Sequence, residues 1–283
     1  AGMTWLDAIM HMFSTMGLGG FSSHDASFGF FDSPAIELVS IVFMLIAGCN
    51  FATHYLVLSG RSLRPYVTDP EAGAFLLVTL GSVVGIAIFL DVHEVYPAFS
   101  EALRYSAFNV VSIATTTGYA NTDYALWPMF APLWMLFLSS FATSAGSTGG
   151  GIKMIRAIVL YKQVYRELTR AMHPNAVHLV KIGNEVIPPN ILFAVLAFGF
   201  VYMVCIVSMT LALSFSGLEI ITSFSAVVAS INNTGPGLGQ VGPANNFGGL
   251  TDFQTWVCTI AMLLGRLEIF TLLVVITPAF WRK

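Results

Sequence analysis

The chain has 283 residues, of which 56% are apolar and only 10% are charged, and its mean hydropathy is +0.77. Soluble domains carry about 25% charged residues, so this composition excludes an ordinary soluble domain and indicates a helical membrane protein with several spans. The formal net charge of −3 says little about orientation or partners, because in membrane proteins the positions of Lys and Arg set the orientation.

The first predicted element is a short apolar half-helix, residues 5–14, which leads into Thr15-Met16-Gly17-Leu18. A loop rich in Gly, Ser and aromatic residues then returns the chain to the interface over residues 21–32. Pro34 suits the first turn of a helix and begins a predicted span that ends near Leu58. Because the sequence opens on Ala rather than Met, and on a half-helix with no preceding span, we interpret it as a fragment that lacks its beginning.

A second span is predicted over Glu71–Leu90, and a shorter apolar stretch, Glu101–Ala114, follows it. A helix of about 14 residues rises roughly 21 Å, whereas the hydrocarbon core is roughly 30 Å thick, so this helix should end at mid-depth. The next residues, Thr115-Thr116-Thr117-Gly118-Tyr119, disfavour a helix because they contain β-branched residues and a glycine. Irregular backbone at membrane depth is tolerated only where protein buries it or where it lines a water-filled path, so this segment is predicted to line a pore.

The following span is predicted to break inside the membrane. It runs normally from Met129 to Thr143 and then meets Ser144–Gly151, which contains four glycines and two serines. Each glycine costs roughly 1 kcal/mol in a helix interior, so the helix is expected to stop there and to resume at Ile152. A long basic loop is then predicted as far as Lys181.

The last part of the chain repeats the same order of elements. A span over Asn190–Leu213 precedes a third half-helix, Glu219–Asn232, which leads into Asn233-Thr234-Gly235-Pro236. A final span is predicted from Phe253 to about Phe280.

Gly17, Gly118 and Gly235 lie 101 and 117 residues apart, which indicates a repeated unit of roughly a hundred residues. For any one glycine, helix packing or loop flexibility is the commoner explanation, but three matched occurrences after three half-helices favour a functional repeat. The predicted fold is an all-α membrane protein with parallel repeats of span, pore half-helix, filter strand and span around a pseudo-fourfold pore, the first repeat being missing from this chain. The predicted pore repeats are residues 1–65, which lack their first span, 66–175, whose second span is broken, and 176–283, which carry an Arg in the last span.

The basic residues are distributed asymmetrically. Ten of the twelve lie on the side opposite the predicted entrances of the half-helices, at positions 61, 64, 153, 156, 162, 166, 170, 181, 282 and 283. The two exceptions are Arg104 and Arg266. By the positive-inside rule the basic side is cytoplasmic, so the half-helices are predicted to enter from outside.

The predicted pore strands carry the chemistry of a cation path. Rings of backbone carbonyls can replace the hydration shell of a monovalent cation without a fixed charge. Each half-helix also directs the negative end of its dipole toward the predicted cavity, which favours a cation there. None of the three strands contains Asp or Glu, which agrees with weak, fast-exchanging binding.

At this point the residues resemble a known family. Thr116-Thr117-Gly118-Tyr119 is similar to the selectivity filter of potassium channels, and the asymmetric repeats resemble the TrkH/KtrB/HKT superfamily of potassium transporters. The broken helix at 146–151 and the Arg in the last span resemble the bacterial TrkH branch. The resemblance covers the whole chain and implies channel-like uptake of K⁺, and of Rb⁺, through filter carbonyls of Thr15, Met16, Gly17, Leu18, Thr116, Thr117, Gly118, Tyr119, Asn233, Thr234, Gly235 and Pro236. Ala120 stands where a potassium channel has its second filter glycine, so one carbonyl ring is expected to be irregular and the selectivity looser.

Arg266 lies near the middle of the otherwise apolar last span. A central charge costs about 2.5–3.5 kcal/mol on insertion scales and by default indicates function. The structural alternative is an ion pair with an acid on a neighbouring helix, and Glu268 is a poor partner because it faces a different side of the helix. The resemblance implies that Arg266 forms an electrostatic barrier just inside the filter.

The glycine-rich segment has three interpretations. Gly146, Ser147, Thr148, Gly149, Gly150 and Gly151, followed by Lys153, superficially resemble a nucleotide-binding P-loop. In that motif the Lys directly follows the second glycine and a Ser or Thr comes next, and here the segment also interrupts a span instead of following a strand. A passive kink is the second interpretation. The resemblance implies the third, a movable intramembrane loop below the filter that occludes the path and is displaced on opening.

The residues leave more than one class of function open. A channel-like uptake protein is the first, and a secondary transporter or symporter coupled to Na⁺ or H⁺ is the alternative. A purely structural subunit would leave the repeated strands and Arg266 unexplained. No arrangement of catalytic residues predicts an enzyme, a covalent cofactor or a nucleic-acid partner. The resemblance implies a homodimer in the lipid bilayer of the bacterial plasma (inner) membrane, with a TrkA-like nucleotide-binding regulatory ring on the basic face, residues 153–181.

Overall fold

The structure, a computed structural model, describes residues 1–175, 178–183 and 185–282, and its regular elements there are helices apart from one hairpin. The first predicted repeat contains α1 (Trp5–Met16), α2 (Pro34–Gly48), α3 (Phe51–Gly60) and α4 (Arg64–Thr68). The second contains α5 (Pro70–Val92), α6 (Phe99–Ala114), α7 (Phe130–Ser139) and α8 (Met154–Met172). The third contains β1 (Lys181–Ile182), β2 (Glu185–Val186), α9 (Pro189–Phe215), α10 (Ile220–Ile231), α11 (Asp252–Arg266), α12 (Ile269–Ile276) and α13 (Pro278–Trp281). The predicted limits of this repeat, residues 176 and 283, lie outside the described residues, and so does Lys283 of the basic-residue count.

The three predicted half-helices are present as α1, α6 and α10. They contain 12, 16 and 12 residues, fewer than the roughly 20 that a transmembrane helix needs. α1 begins where the side chain of Thr4 accepts a hydrogen bond from the amide of Asp7, at 3.2 Å. α6 ends at Ala114 as predicted, whereas α1 continues to Met16, two residues beyond its predicted end.

Two helices are long and apolar enough to cross a membrane by themselves, α5 with 23 residues and α9 with 27. They confirm the spans predicted over 71–90 and 190–213. Both begin with a proline in the first turn, where the missing amide has no intrahelical partner in any case. Asp69 additionally caps α5, because its side chain accepts from the amides of Glu71 and Ala72.

The single spans predicted over 34–58 and 253–280 are wrong. The first is two helices, α2 and α3, at 97° to each other, and the second is α11 and α12 at 110°. α3 starts afresh at Asn50, whose side chain accepts from the amide of Ala52 at 2.8 Å. Glu268, between α11 and α12, has φ of 58° and cannot continue a right-handed helix. Each bent pair is still apolar enough overall to pass as one span, so average hydropathy does not show the bends, although Arg266 and Glu268 lie at the second one.

The break predicted in the middle repeat is present and is longer than expected. α7 stops at Ser139 and α8 begins at Met154, so the irregular stretch covers residues 140–153 where 144–151 was predicted. The long basic loop predicted after it is wrong, because the chain forms the 19-residue helix α8 and then an antiparallel hairpin of β1 and β2. α8 has apolar residues at helical spacing between its basic ones, which is typical of an amphipathic helix.

The core of the described residues is built around the two inner half-helices. Residues 108–114 of α6 and 225–231 of α10 are all buried. Arg104, one of the two arginines outside the basic face, ties α6 to α2 through hydrogen bonds of 2.8 and 2.7 Å to both carboxylate oxygens of Glu37, and it also contacts Asp32 at 2.8 Å. The polar end of a half-helix is thereby held by a buried ion pair.

Candidate ion-permeation site

Each half-helix ends in the same hydrogen-bonding pattern. After α6, the amide of Thr117 donates to Ser112 O (2.8 Å) and the amide of Thr116 donates to Ile113 O (3.0 Å), which is the Schellman motif. The equivalent pairs are Gly19 to Ser14 and Leu18 to Thr15 after α1, and Thr234 to Ala229 and Asn233 to Ser230 after α10. The pattern aligns three segments: segment 1 is Leu18-Gly19-Gly20, segment 2 is Thr116-Thr117-Gly118 and segment 3 is Asn233-Thr234-Gly235.

Backbone angles confirm this alignment. The first residue of each segment has a positive φ, 48° at Leu18, 59° at Thr116 and 54° at Asn233, and the last is a glycine with φ of 70°, 86° and 101° in turn. A positive φ is unfavourable for residues other than glycine and costs about 1–3 kcal/mol. Three such residues at equivalent positions show that the surrounding structure enforces one backbone shape.

The prediction for the first repeat is therefore wrong by three residues. Thr15 and Met16 belong to α1, and Gly17 is its C-terminal cap with an ordinary φ of −80°. Gly20 is the residue equivalent to Gly118 and Gly235. The sequence has three glycines within residues 17–20, and it does not indicate which of them is equivalent to Gly118 and Gly235.

The three segments are neighbours in a fixed order. A β-carbon at Gly20 would lie 2.1 Å from Thr117 O, and one at Gly118 would lie 2.0 Å from Thr234 O, whereas nothing lies within 4 Å at Gly235. Segment 1 thus abuts segment 2, and segment 2 abuts segment 3, by the same glycine-to-carbonyl contact. Only glycine permits this approach, because any side chain would displace a neighbouring backbone.

The carbonyl oxygens of these segments are not used by the protein. Within the described ranges, none of the nine accepts a hydrogen bond from a backbone or side-chain donor. The hydroxyl of Thr234 is also buried without a partner. Leu18, Thr116, Thr117 and Thr234 are buried, and buried oxygens are normally hydrogen-bonded, so the unpaired carbonyls of these residues indicate a site for a ligand that oxygen atoms can coordinate.

The residues that follow the segments play a supporting part. Tyr119 is fully buried, its carbonyl accepts from Ser112 Oγ at 2.7 Å, and its hydroxyl accepts from Thr15 Oγ1 at 3.4 Å. The carbonyl of Ala120 accepts from the amide of Phe28 at 3.0 Å. Pro236 is half-buried beside segment 2. The carbonyls of Tyr119 and Ala120 thus accept hydrogen bonds within the protein, so Tyr119, although predicted as a filter residue, does not offer a free carbonyl.

The irregular stretch between α7 and α8 packs directly against all three repeats. The amide of Gly150 donates to Thr116 Oγ1 at 2.8 Å, and Thr148 Oγ1 donates to Met16 O at 3.1 Å. A β-carbon at Gly150 would lie 1.8 Å from Asn232 O. The glycine-rich loop, residues 144–153, therefore contacts each repeat where its half-helix passes into its segment, and glycine is required at the closest point.

Arg266 reaches the same loop from the third repeat. Its Nη1 donates to Thr148 O at 3.0 Å. Glu268 pairs with Arg156 at 3.0 Å and not with Arg266, as the sequence predicted. A cavity of about 360 Å³ lies beside these groups and is lined by residues 146–151 together with Lys153, Gly265, Arg266 and Glu268.

Sequence reasoning missed two residues of this site. Lys153 was assigned only to the basic face, yet its ammonium donates to Gly149 O and to Ser147 Oγ. Glu71 was treated only as the start of a span, yet it is buried, and one carboxylate oxygen accepts from the amides of Ala145 and Ile155. The available signal was a carboxylate at the start of an apolar span, which requires a partner when it is buried.

Comparison with known proteins agrees with this arrangement. A family model described as TrkH, cation transport protein, matches residues 2–283. The chain belongs to the TrkH family. Among TrkH-family proteins, it is 46% identical over its whole length to the Trk system potassium uptake proteins TrkH of Salmonella typhimurium and Escherichia coli K12, and 36% identical to TrkG of the latter.

The same relationship is seen in three dimensions. The crystal structure of the potassium transporter TrkH from Vibrio parahaemolyticus superposes with a TM-score of 0.94 at 44% identity, over 99% of this chain and 60% of that one. The chain spans 58% of the length of the TrkH relatives from Salmonella and Escherichia coli. The predicted membership of the TrkH branch is confirmed.

Proposed function

We propose that the chain forms part of a K⁺ uptake pathway in which segments 1 to 3 are the selectivity filter. The unpaired carbonyl oxygens of the three adjacent segments carry this proposal. Such oxygens can replace the water around K⁺, or around Rb⁺, which has similar chemistry. The relatives' names, which describe potassium uptake, support the choice of ion.

The half-helices add a favourable field. α1, α6 and α10 each end immediately before a segment, so the negative ends of three helix dipoles lie next to the proposed ion sites. No segment contains a carboxylate, and binding is therefore weak enough for ions to leave again. Helix dipoles without carboxylates therefore favour rapid permeation of the ion over tight binding.

A fourth segment is proposed to complete the ring. Gly235 faces open space where Gly20 and Gly118 each face a neighbouring carbonyl. α1 also exposes large apolar side chains, among them Trp5 at 76% and Phe13 at 69%, although the equivalent half-helices are largely buried. Both features are explained if another repeat lies between segment 3 and α1, which agrees with the pseudo-fourfold arrangement predicted from the sequence and with the greater length of the relatives.

The glycine-rich loop and Arg266 are proposed as the gate. The loop contacts each repeat where its half-helix passes into its segment, and it also lines the 360 Å³ cavity, so we place it on the route of an ion that leaves the segments. Lys153 and Arg266 place two positive charges on the loop carbonyls. A permeating cation would be repelled by both, and opening requires the loop tip and these cations to move away.

Ion-coupled symport with Na⁺ or H⁺ is the less favoured alternative. Such transporters place substrate between discontinuous helices of opposed direction at the membrane midplane. Here segment 1 contacts segment 2, and segment 2 contacts segment 3, through the same glycine-to-carbonyl contact, as expected for repeats related by rotation about one axis.

The setting and partners of the pathway are also proposals. α5 and α9 support a multi-pass protein, and the basic residues support a cytosolic position for α8 and the hairpin, with the filter entrance outside. We place it in the bacterial plasma membrane as a homodimer. The basic face of α8 would receive a TrkA-like nucleotide-binding ring, as the family resemblance implies.

The function is tested with the full-length protein in liposomes. Gly118→Ala should lower Rb⁺ uptake by roughly tenfold or more, because alanine is strained at this φ and its β-carbon would meet Thr234 O. Gly85→Ala is the matched control, since nothing lies within 4 Å of its β-carbon on α5. Wild-type uptake that does not distinguish Rb⁺ from Na⁺, or equal uptake by the two variants, would contradict the filter assignment.

A further inference from the structure

Glu71 makes an unusual pair of contacts across the second repeat. The residue is 6% exposed, and its Oε1 accepts hydrogen bonds from the amides of Ala145 and Ile155, both at 2.9 Å. Ala145 precedes the glycine-rich loop tip, and Ile155 lies just after the loop, in the first turn of α8. One carboxylate on α5 therefore holds both stems of the loop.

Neither stem has a local substitute for this carboxylate. Lys153 is the N-cap residue of α8, and its side chain makes no capping hydrogen bond. Glu71 supplies that cap from another helix, and its negative charge suits the positive end of the α8 dipole. Hydrogen bonds to an ionised carboxylate are roughly twice as strong as neutral ones.

The other contacts of the loop fall into three groups. Its two stems are joined directly by main-chain bonds from Ile152 N to Ser140 O (2.6 Å) and from Met154 N to Thr143 O (2.8 Å). Its entry stem is held by main-chain bonds at the bend between α2 and α3, from Ser144 N to Gly48 O (3.0 Å) and from Phe51 N to Gly146 O (3.2 Å). Its tip is held mainly through side chains, by the contacts of Thr148 and Gly150 with the segments and by Arg266. The stem contacts require main chain to separate, whereas most tip contacts end when a side chain turns away.

We propose that Glu71 is a positioning residue that fixes the two stems of the loop, so that only the tip, Ser147–Gly150, leaves the segments when the path opens. This rests on the proposed function of the loop as a gate. Glu71 then sets the closed position of the tip from a distance and touches no permeating ion. Without it the stems keep only their main-chain bonds and lose a charged anchor, so the tip spends less time in its closed position.

A cysteine reporter measures the position of the tip. Thr115 is fully buried at the end of α6, and a β-carbon at Gly149 would lie 3.1 Å from its carbonyl, so the loop tip covers the backbone of this residue and Thr115→Cys should react faster when the tip moves away. Cys49 and Cys258 are buried, and Cys205 is replaced by Ser to remove the third thiol. The rate of reaction with a membrane-impermeant thiol reagent, applied from the cytosolic side and expressed per folded molecule, reports how often the tip is displaced.

Two variants remove the Glu71 contacts from opposite ends. Glu71→Ala removes the acceptor, and Ile155→Pro removes one donor at a helix position that tolerates proline. Both should raise the Thr115→Cys reaction rate and basal Rb⁺ uptake at least about fivefold, with an unchanged Rb⁺ to Na⁺ ratio. Glu71→Gln keeps an acceptor oxygen, so its thiol reaction rate and its Rb⁺ uptake should lie between those of these variants and those of the parent. Glu167→Ala, which removes an exposed carboxylate from α8, is the control and should match the parent.

The outcomes separate this inference from the function on which it rests. If the parent protein takes up Rb⁺ and the folded variants react and transport as it does, Glu71 does not position the loop. Ile155→Pro decides the question if Glu71→Ala does not fold. If the parent shows no alkali-ion uptake, the proposed function fails, whatever the thiol rates are.

Discussion

Replacing Arg266 by Ala should open the proposed gate. The guanidinium donates to Thr148 O at 3.0 Å, and Thr148 Oγ1 in turn donates to Met16 O at 3.1 Å, so two side chains link the third repeat to the first through the loop. A hydrogen bond from a charged group contributes about 1.5–3 kcal/mol, and every 1.4 kcal/mol or so is a tenfold change in an equilibrium. The ratio of closed to open loop should therefore fall by roughly ten- to a hundredfold in Arg266→Ala.

Basal Rb⁺ uptake by liposomes that contain the full-length protein measures this ratio when the loop is mostly closed. Uptake by Arg266→Ala should rise roughly tenfold or more, and deletion of Gly149–Gly151 should raise it as well. Arg266→Lys keeps the positive charge but lacks the planar guanidinium group, so its uptake should lie between that of Arg266→Ala and that of the wild type. Arg170→Ala removes an exposed arginine on α8 and is the matched control.

Unchanged uptake in both Arg266→Ala and the deletion variant would refute the gate assignment. The hydrogen bond between Arg266 and Thr148 would then be a structural contact, and the loop would be a fixed kink. If uptake rose but the protein no longer preferred Rb⁺ over Na⁺, the substitution would instead have damaged the filter itself.

Three further predictions test the site and the fold. Gly20→Ala should abolish Rb⁺ uptake, because φ at this position is 70° and the added β-carbon would lie 2.1 Å from Thr117 O. Gly17→Ala is the control and should retain most of the uptake. Loss of uptake in Gly17→Ala but not in Gly20→Ala would show that segment 1 is misaligned. Lys153→Met should raise basal uptake about fivefold, since it removes a charged hydrogen bond to the loop, and equal uptake would exclude Lys153 from the gate. Arg104→Met should destabilise the protein by about 3 kcal/mol, because it leaves Glu37 buried and unpaired. Thermal unfolding measures this loss, and adding Glu37→Leu should restore most of it; a double variant no more stable than the single one would contradict the ion-pair argument.

Most of the helical plan could be predicted from the sequence because it depends on local properties. Lengths of apolar runs distinguish the spans α5 and α9 from the short half-helices, and a run of glycines marks the break after α7. The bends at Asn50 and Glu268 could not be predicted in this way. Hydropathy averaged over a span reports whether the whole run can lie in an apolar environment, and each run passes that test although it contains Asn50 or Arg266 and Glu268 at the bend.

The site itself was only partly predictable. The filter residues predicted for the second and third repeats include segments 2 and 3, because each segment contains a single glycine close to the end of its half-helix. Segment 1 was not placed correctly, because three closely spaced glycines all suit a helix end and the residue that takes the positive φ is Leu18. Which residue leaves the helix is set by contacts with segment 2, more than ninety positions away in the chain.

The sequence by itself determined that this protein lies in a membrane and that it contains three half-helices, each followed by a glycine-containing segment, because composition and run length are properties of neighbouring residues. Only the tertiary structure decided which carbonyls stay unpaired, which glycine meets the next repeat, and that Glu71 and Lys153 hold the loop. Those outcomes depend on hydrogen bonds between residues far apart in the chain, and no local sequence pattern indicates which distant oxygen a backbone amide will donate to.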